Sequence, residues 1–105
     1  MEILINDQKF NLDIANTFTK RLIGLMGKRN INKGIFFPKT RSIHTFFMKD
    51  YIDIIMINKN YKIVYFKKNL KKNKIIIKKE AYHTIELPKD SINNIKIGDK
   101  LTIIS

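Results

Sequence analysis

Cysteine is absent from the 105 residues of this chain. That excludes disulfide staples, zinc ribbons, iron–sulfur ligation and thiol catalysis together. Long apolar runs are missing as well: uninterrupted stretches such as Ile54–Ile57 fall far short of the ~20 residues needed to cross a bilayer, so no membrane span is expected. The first residues, Met1 to Asp7, show no basic region followed by a long apolar stretch. They do not read as a signal peptide, and a cytoplasmic location is expected. With only 4 glycines and 2 prolines, 44% hydrophobic residues and 29% charged ones, the composition is that of a folded globule, not a disordered tail. A chain of this length corresponds to one domain, residues 1–105, burying roughly two-thirds of its unfolded surface without staples.

Acidic residues are also scarce, 9 against 21 basic ones, for a net charge of +12. Such an excess invites polyanions. Its make-up points elsewhere: only Arg21, Arg29 and Arg41 carry the bidentate guanidinium that phosphate readers favour, and the remaining basic residues are lysines. Ile, Lys and Asn together fill nearly half the chain. A bias shared by an apolar, a charged and an amide residue is that of an A+T-rich coding sequence, not of a selected binding surface. A phosphate-contacting strip through Lys67, Lys68, Lys71, Lys72, Lys74, Lys78 and Lys79 remains as an alternative, implying weak, non-specific and salt-sensitive nucleic-acid binding.

The pattern along the chain is mostly that of strands. Ile3–Ile5 and Phe10–Ile14 flank a polar Asn6-Asp7-Gln8 as a first hairpin, and Ile52–Ile57 with Lys62–Lys67 form another around Asn58-Lys59-Asn60. Asn at such a turn tolerates the left-handed conformation it needs. Further strands are expected at Gly34–Phe37, Ile43–Met48, Ile75–Ile77, Ala81–Leu87 and Leu101–Ile104. One short helix is expected near residues 17–26, where Phe18, Leu22, Leu25 and Met26 recur at helical spacing before Gly27. The fold class is therefore mainly β: a small, largely antiparallel barrel-like or sandwich domain with one early helix.

Several short motifs follow one another in order. They are Arg21-x-x-Gly24-Leu25-Met26, Gly34-Ile35-Phe36-Phe37, Ser42-Ile43-His44-Thr45-x-x-Met48-x-x-x-Ile52-Asp53, Glu86-Leu87-Pro88 and Gly98-Asp99. In residue type and spacing this set resembles the DUF192 family, also called UPF0127, in its His-Thr-x-x-Met variant. The resemblance runs from about Ala15 to the C-terminus and implies a small barrel-like β domain; it implies no activity. Two positions depart from the pattern, with Tyr61 and Asp90 where the family usually has glycine. A change in turn geometry is expected at both.

The polar residues within these motifs are the candidate site. Asp53 lies among apolar neighbours on both faces of its strand, so its carboxylate needs partners, and Arg21, Arg41 and His44 are the cations considered. Glu86 shares a face with Tyr82 and Thr84, a semi-polar stripe able to line a cleft; His83 points the other way with Ile85 and Leu87 and reads as a packing histidine. His44 and Met48 suit soft copper by type, yet four residues along a strand separate them by roughly 13 Å, too far for one ion. No metal and no cofactor is expected, and Gly-rich phosphate loops and nucleophile elbows are missing. The favoured reading is a non-enzymatic binding or accessory domain. Its pocket, near the helix–sheet junction, would be lined by Arg21, His44, Asp53 and Glu86 with walls from Phe36, Phe46 and Phe47, and would take a small polar or anionic ligand. An enzyme built on the Asp53 and Glu86 carboxylates is the other alternative, and it requires both to converge on one concave site.

Overall fold

A computed structural model describes residues 1–15, 33–45 and 51–105. The expected helix near 17–26 and the side chains of Arg21, Phe46, Phe47 and Met48 lie outside the described residues. The described chain holds nine strands: β1 (Glu2–Ile5), β2 (Gln8–Ile14), β3 (Gly34–Phe37), β4 (Ser42–His44), β5 (Ile52–Ile57), β6 (Ile63–Leu70), β7 (Ile75–Ile77), β8 (His83–Pro88) and β9 (Leu101–Ile103). Seven of them form one sheet in the order β6-β5-β8-β3-β2-β1-β9, and β4 pairs with β7 as a separate ribbon. Every pairing is antiparallel except β2 with β3. The sheet curls into a half-barrel, and its two outer strands are stitched at one end. Ile63 N–H donates to Asp99 O (2.9 Å), Gly98 N–H to Ile63 O (2.8 Å) and Leu101 N–H to Tyr61 O (2.8 Å).

Curling gives the sheet two buried faces, each with its own apolar cluster. Ile3, Ile5, Leu12, Phe36, Ile55, Ile57, Ile85 and Leu87 fill the concave side. Ile35, Phe37, Ile52, Ile54 and Met56 lie on the other side, where Ile43 of β4 and Ile76 of β7 pack over them. All six residues of β5 are therefore buried, since alternate side chains enter alternate clusters. This explains why Asp53 has apolar neighbours on both sides. Gly34 is required by the same close packing: a Cβ there would lie 2.5 Å from Leu87 Cδ2, 2.7 Å from Glu86 O and 2.7 Å from Leu12 Cδ2.

Two turns depart from expectation in an instructive way. In the β5–β6 hairpin, Asn58 Oδ1 accepts from the N–H groups of Asn60 (2.9 Å) and Lys62 (3.0 Å), while the left-handed residue is Tyr61, with φ 61°. Asp90 after β8 is likewise left-handed, with φ 60°. Both positions where the resemblance expects glycine thus take the φ that glycine adopts freely. The substitutions raise the cost of the turn and leave its hand unchanged.

Candidate functional site

Asp53 is fully buried on the concave side, near the start of β5, and its carboxylate accepts four backbone N–H groups. Oδ1 receives Asn69 (2.8 Å) and Asp90 (3.3 Å). Oδ2 receives Ser91 (2.7 Å) and Ile92 (2.9 Å). A carboxylate offers about four lone-pair sites, so backbone amides alone fill it. The residues it ties are awkward ones. Asn69 sits at a bulge in β6 with φ 53°, and its side-chain amide exchanges hydrogen bonds with Asp90, donating to Asp90 Oδ1 (3.0 Å) and accepting Asp90 N–H (3.2 Å). One buried carboxylate therefore holds two left-handed positions and the turn after β8. The partner expected from sequence is a cation; the structure supplies amides.

Glu86 is buried too, on the opposite face. Across β5 and β8 the register pairs Ile54 with Glu86 and Asp53 with Leu87, and residues paired across strands share a face. Consecutive residues alternate, so the Asp53 and Glu86 side chains leave opposite sides of the sheet. The two carboxylates considered as a catalytic pair do not converge. Phe36 belongs to the concave cluster with Asp53, whereas Glu86 keeps company with Ile35 and Ile54. His44 lies on the exposed side of the β4–β7 ribbon, paired with Ile75. The predicted set is thus split among the concave side, the convex side and a separate ribbon. Among the described residues, no three His, Asp or Glu side chains gather as metal ligands.

Other polar side chains near these motifs are committed to holding loops. Thr84 Oγ1 donates to Thr40 O (2.7 Å). Thr45, fully buried, donates from its hydroxyl to Lys71 O (2.7 Å) and accepts Lys74 N–H (2.8 Å), which fastens the turn before β7 to the end of β4. His83 points into the concave cluster, as its alternation with Ile85 predicts. Its Nδ1 accepts Lys39 N–H (3.1 Å), and its ring meets Phe36, Tyr61 and Tyr82 at centroid distances of 5.0, 5.5 and 4.6 Å. Burial, reinforced by the charge on Lys39, lowers its pKa below the ordinary value of 6.5. The ring is neutral at neutral pH, with its proton on Nε2.

Beside this histidine opens a shallow groove of about 270 Å³, lined by Arg41, Asn58, Lys59, Asn60, Lys79, Glu80, Ala81 and Tyr82. Three segments build it: the β5–β6 turn, the stretch before β8 and the residue before β4. Their backbones are joined, Lys78 N–H donating to Arg41 O (3.0 Å) and Tyr82 N–H to Ile57 O (2.7 Å). Three cations and one carboxylate line the groove, and Lys59 Nζ stands 5.2 Å from the centroid of the Tyr82 ring. From sequence, Asn58-Lys59-Asn60 is only a turn and Arg41 only an ion-pair candidate. Their meeting with Lys79 and Tyr82 depends on contacts between segments far apart in the chain, which no local pattern encodes.

Of the lysine strip, Lys67, Lys68, Lys71, Lys72, Lys74 and Lys79 are exposed. Lys78 is half-buried, with its Nζ 4.5 Å from the centroid of the Tyr65 ring.

Comparison with known proteins agrees with the motifs. Residues 1–103 match the model of the DUF192 family, described as "Uncharacterized ACR, COG1430". A UPF0127 protein of Thermococcus kodakarensis is 37% identical over 92 residues, covering 82% of this chain and 59% of that protein. One from Pyrococcus horikoshii is 38% identical over 96 residues, covering 84% of this chain and 83% of the relative. The chain thus spans about three-fifths of the length of the Thermococcus kodakarensis relative. Among solved structures, a protein of unknown function from Novosphingobium aromaticivorans superposes with a TM-score of 0.85 at 16% identity, over 98% of this chain and 84% of that one. A putative transcription regulator from Sinorhizobium meliloti superposes with 0.80 at 19% identity, over 95% and 88%. At such identities these two likenesses concern the fold alone. No helix among the described residues is long and apolar enough to cross a membrane. Family model, curated relatives and the order of motifs along the sequence agree: the chain belongs to the DUF192 (UPF0127) family.

Proposed function

We propose that the protein is a small non-enzymatic binding or accessory domain that takes a small anionic ligand in the groove between the β5–β6 turn and the segment before β8. One observation carries the reading: Arg41, Lys59 and Lys79 line a single open groove with Tyr82 as a flat wall and Glu80 as its one carboxylate. Closely placed cations of this kind attract an anion before contact and hold it through charge-assisted hydrogen bonds afterwards. Asn58 Oδ1 is occupied by two backbone N–H groups, so the turn that presents Lys59 is already ordered and costs little to organise on binding. Asp53 takes no part, because its acceptor sites are filled.

The test is calorimetric titration with inorganic phosphate, citrate and a nucleoside monophosphate, alongside thermal unfolding. A ligand present at a hundred times its Kd raises stability by about 2.7 kcal/mol. Binding by at least one of these anions that disappears in the Arg41→Gln/Lys59→Gln variant supports the groove. Heat and stabilisation absent for all three, or unchanged in the variant, removes it.

A further inference from the structure

The β4–β7 ribbon has two unlike faces. Its register pairs Ser42 with Ile77, Ile43 with Ile76 and His44 with Ile75. Ile43 and Ile76 pack inward against the cluster over β5, which turns Ser42, His44, Ile75 and Ile77 outward. Ile75 and Ile77 are 60% and 64% exposed, more than any other large hydrophobic residue described. Two positions apart on one strand, they form a ridge about 7 Å long.

That ridge stands in a field of one sign. Lys71, Lys72 and Lys74 are exposed on the turn leading into β7, and Lys79 is exposed just beyond it. From Ile54 to Lys79 the chain contains no acidic residue. The turn is held in place: besides its two hydroxyl bonds, Thr45 donates its N–H to Lys74 O (2.9 Å) and accepts Asn73 N–H at its carbonyl (3.2 Å). The lysines and the isoleucine ridge are thus presented as one ordered unit.

We infer that this face docks on an anionic lipid surface, with Ile75 and Ile77 entering the boundary between headgroups and acyl chains and Lys71, Lys72 and Lys74 lying at the lipid phosphates. Such a surface rewards both features at once, the apolar area through burial and each lysine through attraction to anionic headgroups. Long lysine stems also keep their charge at the phosphates while their methylenes follow the ridge down. A nucleic acid rewards the lysines and gains nothing from two aliphatic side chains, and among the described residues the outward face of the ribbon, Ser42, His44, Ile75 and Ile77, holds no Phe, Tyr or Trp on which bases would stack. Protein interfaces favour aromatic residues and Arg and are poor in Lys, the reverse of this patch. Another copy of the chain would bring the same positive field against itself. The contact is peripheral, and none of Lys71, Lys72, Lys74, Ile75 and Ile77 lines the anion groove.

The experiment is co-sedimentation of the full chain with vesicles of equimolar phosphatidylglycerol and phosphatidylcholine, against vesicles of phosphatidylcholine alone. The chain is expected to bind the anionic vesicles, to release them as salt is raised, and to ignore the neutral ones. Ile75→Ser/Ile77→Ser, both exposed and so expected to leave the fold unchanged, should weaken binding about tenfold or more. Because the chain has no tryptophan, Ile77→Trp provides a second readout, a blue-shifted emission on mixing with anionic vesicles. Failure to sediment with anionic vesicles overturns the inference. So does binding that the double serine variant retains in full, or tryptophan emission from the Ile77→Trp variant that does not move. Tighter binding to duplex DNA than to the vesicles, undiminished in the serine variant, would assign the lysines to nucleic-acid phosphates instead.

Discussion

The start of β5 and the turn before β7 both carry charge, and the molecule handles it in opposite ways. At Asp53 the charge is internal, and four backbone amides meet it. Around β7 several charges of one sign face solvent with no carboxylate between Ile54 and Lys79 to balance them. Burial makes an unmet polar group expensive, so the first region must complete its hydrogen bonds within the chain. Exposed lysines meet no such demand. The contrast separates a polar residue that makes the fold from polar residues left available to a partner.

The largest effect is expected where burial is deepest. Asp53→Ala leaves four amides without their acceptor and removes the tie between two left-handed positions, for a loss of about 3–5 kcal/mol. Thermal unfolding should show a fall of more than about 12 °C. Asp53→Asn should rescue little, because the amide NH₂ must face N–H donors on one side. A midpoint close to wild type would erase the contrast, since the carboxylate would then be dispensable to the fold.

Next comes Gly34→Ala, which tests how tightly the concave cluster is pressed on β3. The added Cβ collides with the Glu86 carbonyl and with Leu12 and Leu87, so a loss of about 1–3 kcal/mol is expected by denaturant titration. An unchanged midpoint would mean that β3 can move away from β8 at no cost.

A smaller and pH-dependent effect belongs to His83. Its folded pKa lies below the ordinary 6.5, so the unfolded chain takes up the proton first as pH falls. Its neutral form therefore adds no penalty above that value, and stability declines as pH drops through about 6.5 towards the lower folded pKa. His83→Phe should flatten that part of the pH–stability curve while leaving Lys39 N–H without an acceptor. A wild-type curve already flat between neutral and mildly acidic pH would contradict the burial assigned to this ring.

The smallest stability effect is expected at the groove. Arg41→Gln and Lys59→Gln should stay within about 0.5 kcal/mol of wild type by denaturant titration while anion binding is lost. A large destabilisation there would move these residues from the second side of the comparison to the first.

Much of the architecture is legible locally. The first hairpin, the β5–β6 hairpin and the Ile75–Ile77 strand follow from alternation and from polar turns, and those signals are contained within a few residues. The site is legible only in part. That Asp53 needs partners follows from its apolar neighbours, yet the partners are amides at 69, 90, 91 and 92, which no side-chain inventory reveals. Asp53 and Glu86 both belong to strands with strong motifs, but the register that sends them to opposite faces is a property of the β5–β8 pairing. Thr45 stands in the His-Thr-x-x-Met motif, but its role is not legible there, because a lone threonine beside a histidine carries no local sign of its partners. Its importance lies in two hydrogen bonds to residues 26 and 29 positions away.

The sequence by itself determined the class of fold, the family and the excess of positive charge, because alternation, motif order and composition are properties of the chain before it folds. Only the tertiary structure decided which charges are spent and which are left to act. A carboxylate is satisfied, or a lysine left in solvent, by atoms brought near it from distant parts of the chain, and that proximity is set when the strands choose their neighbours and their register.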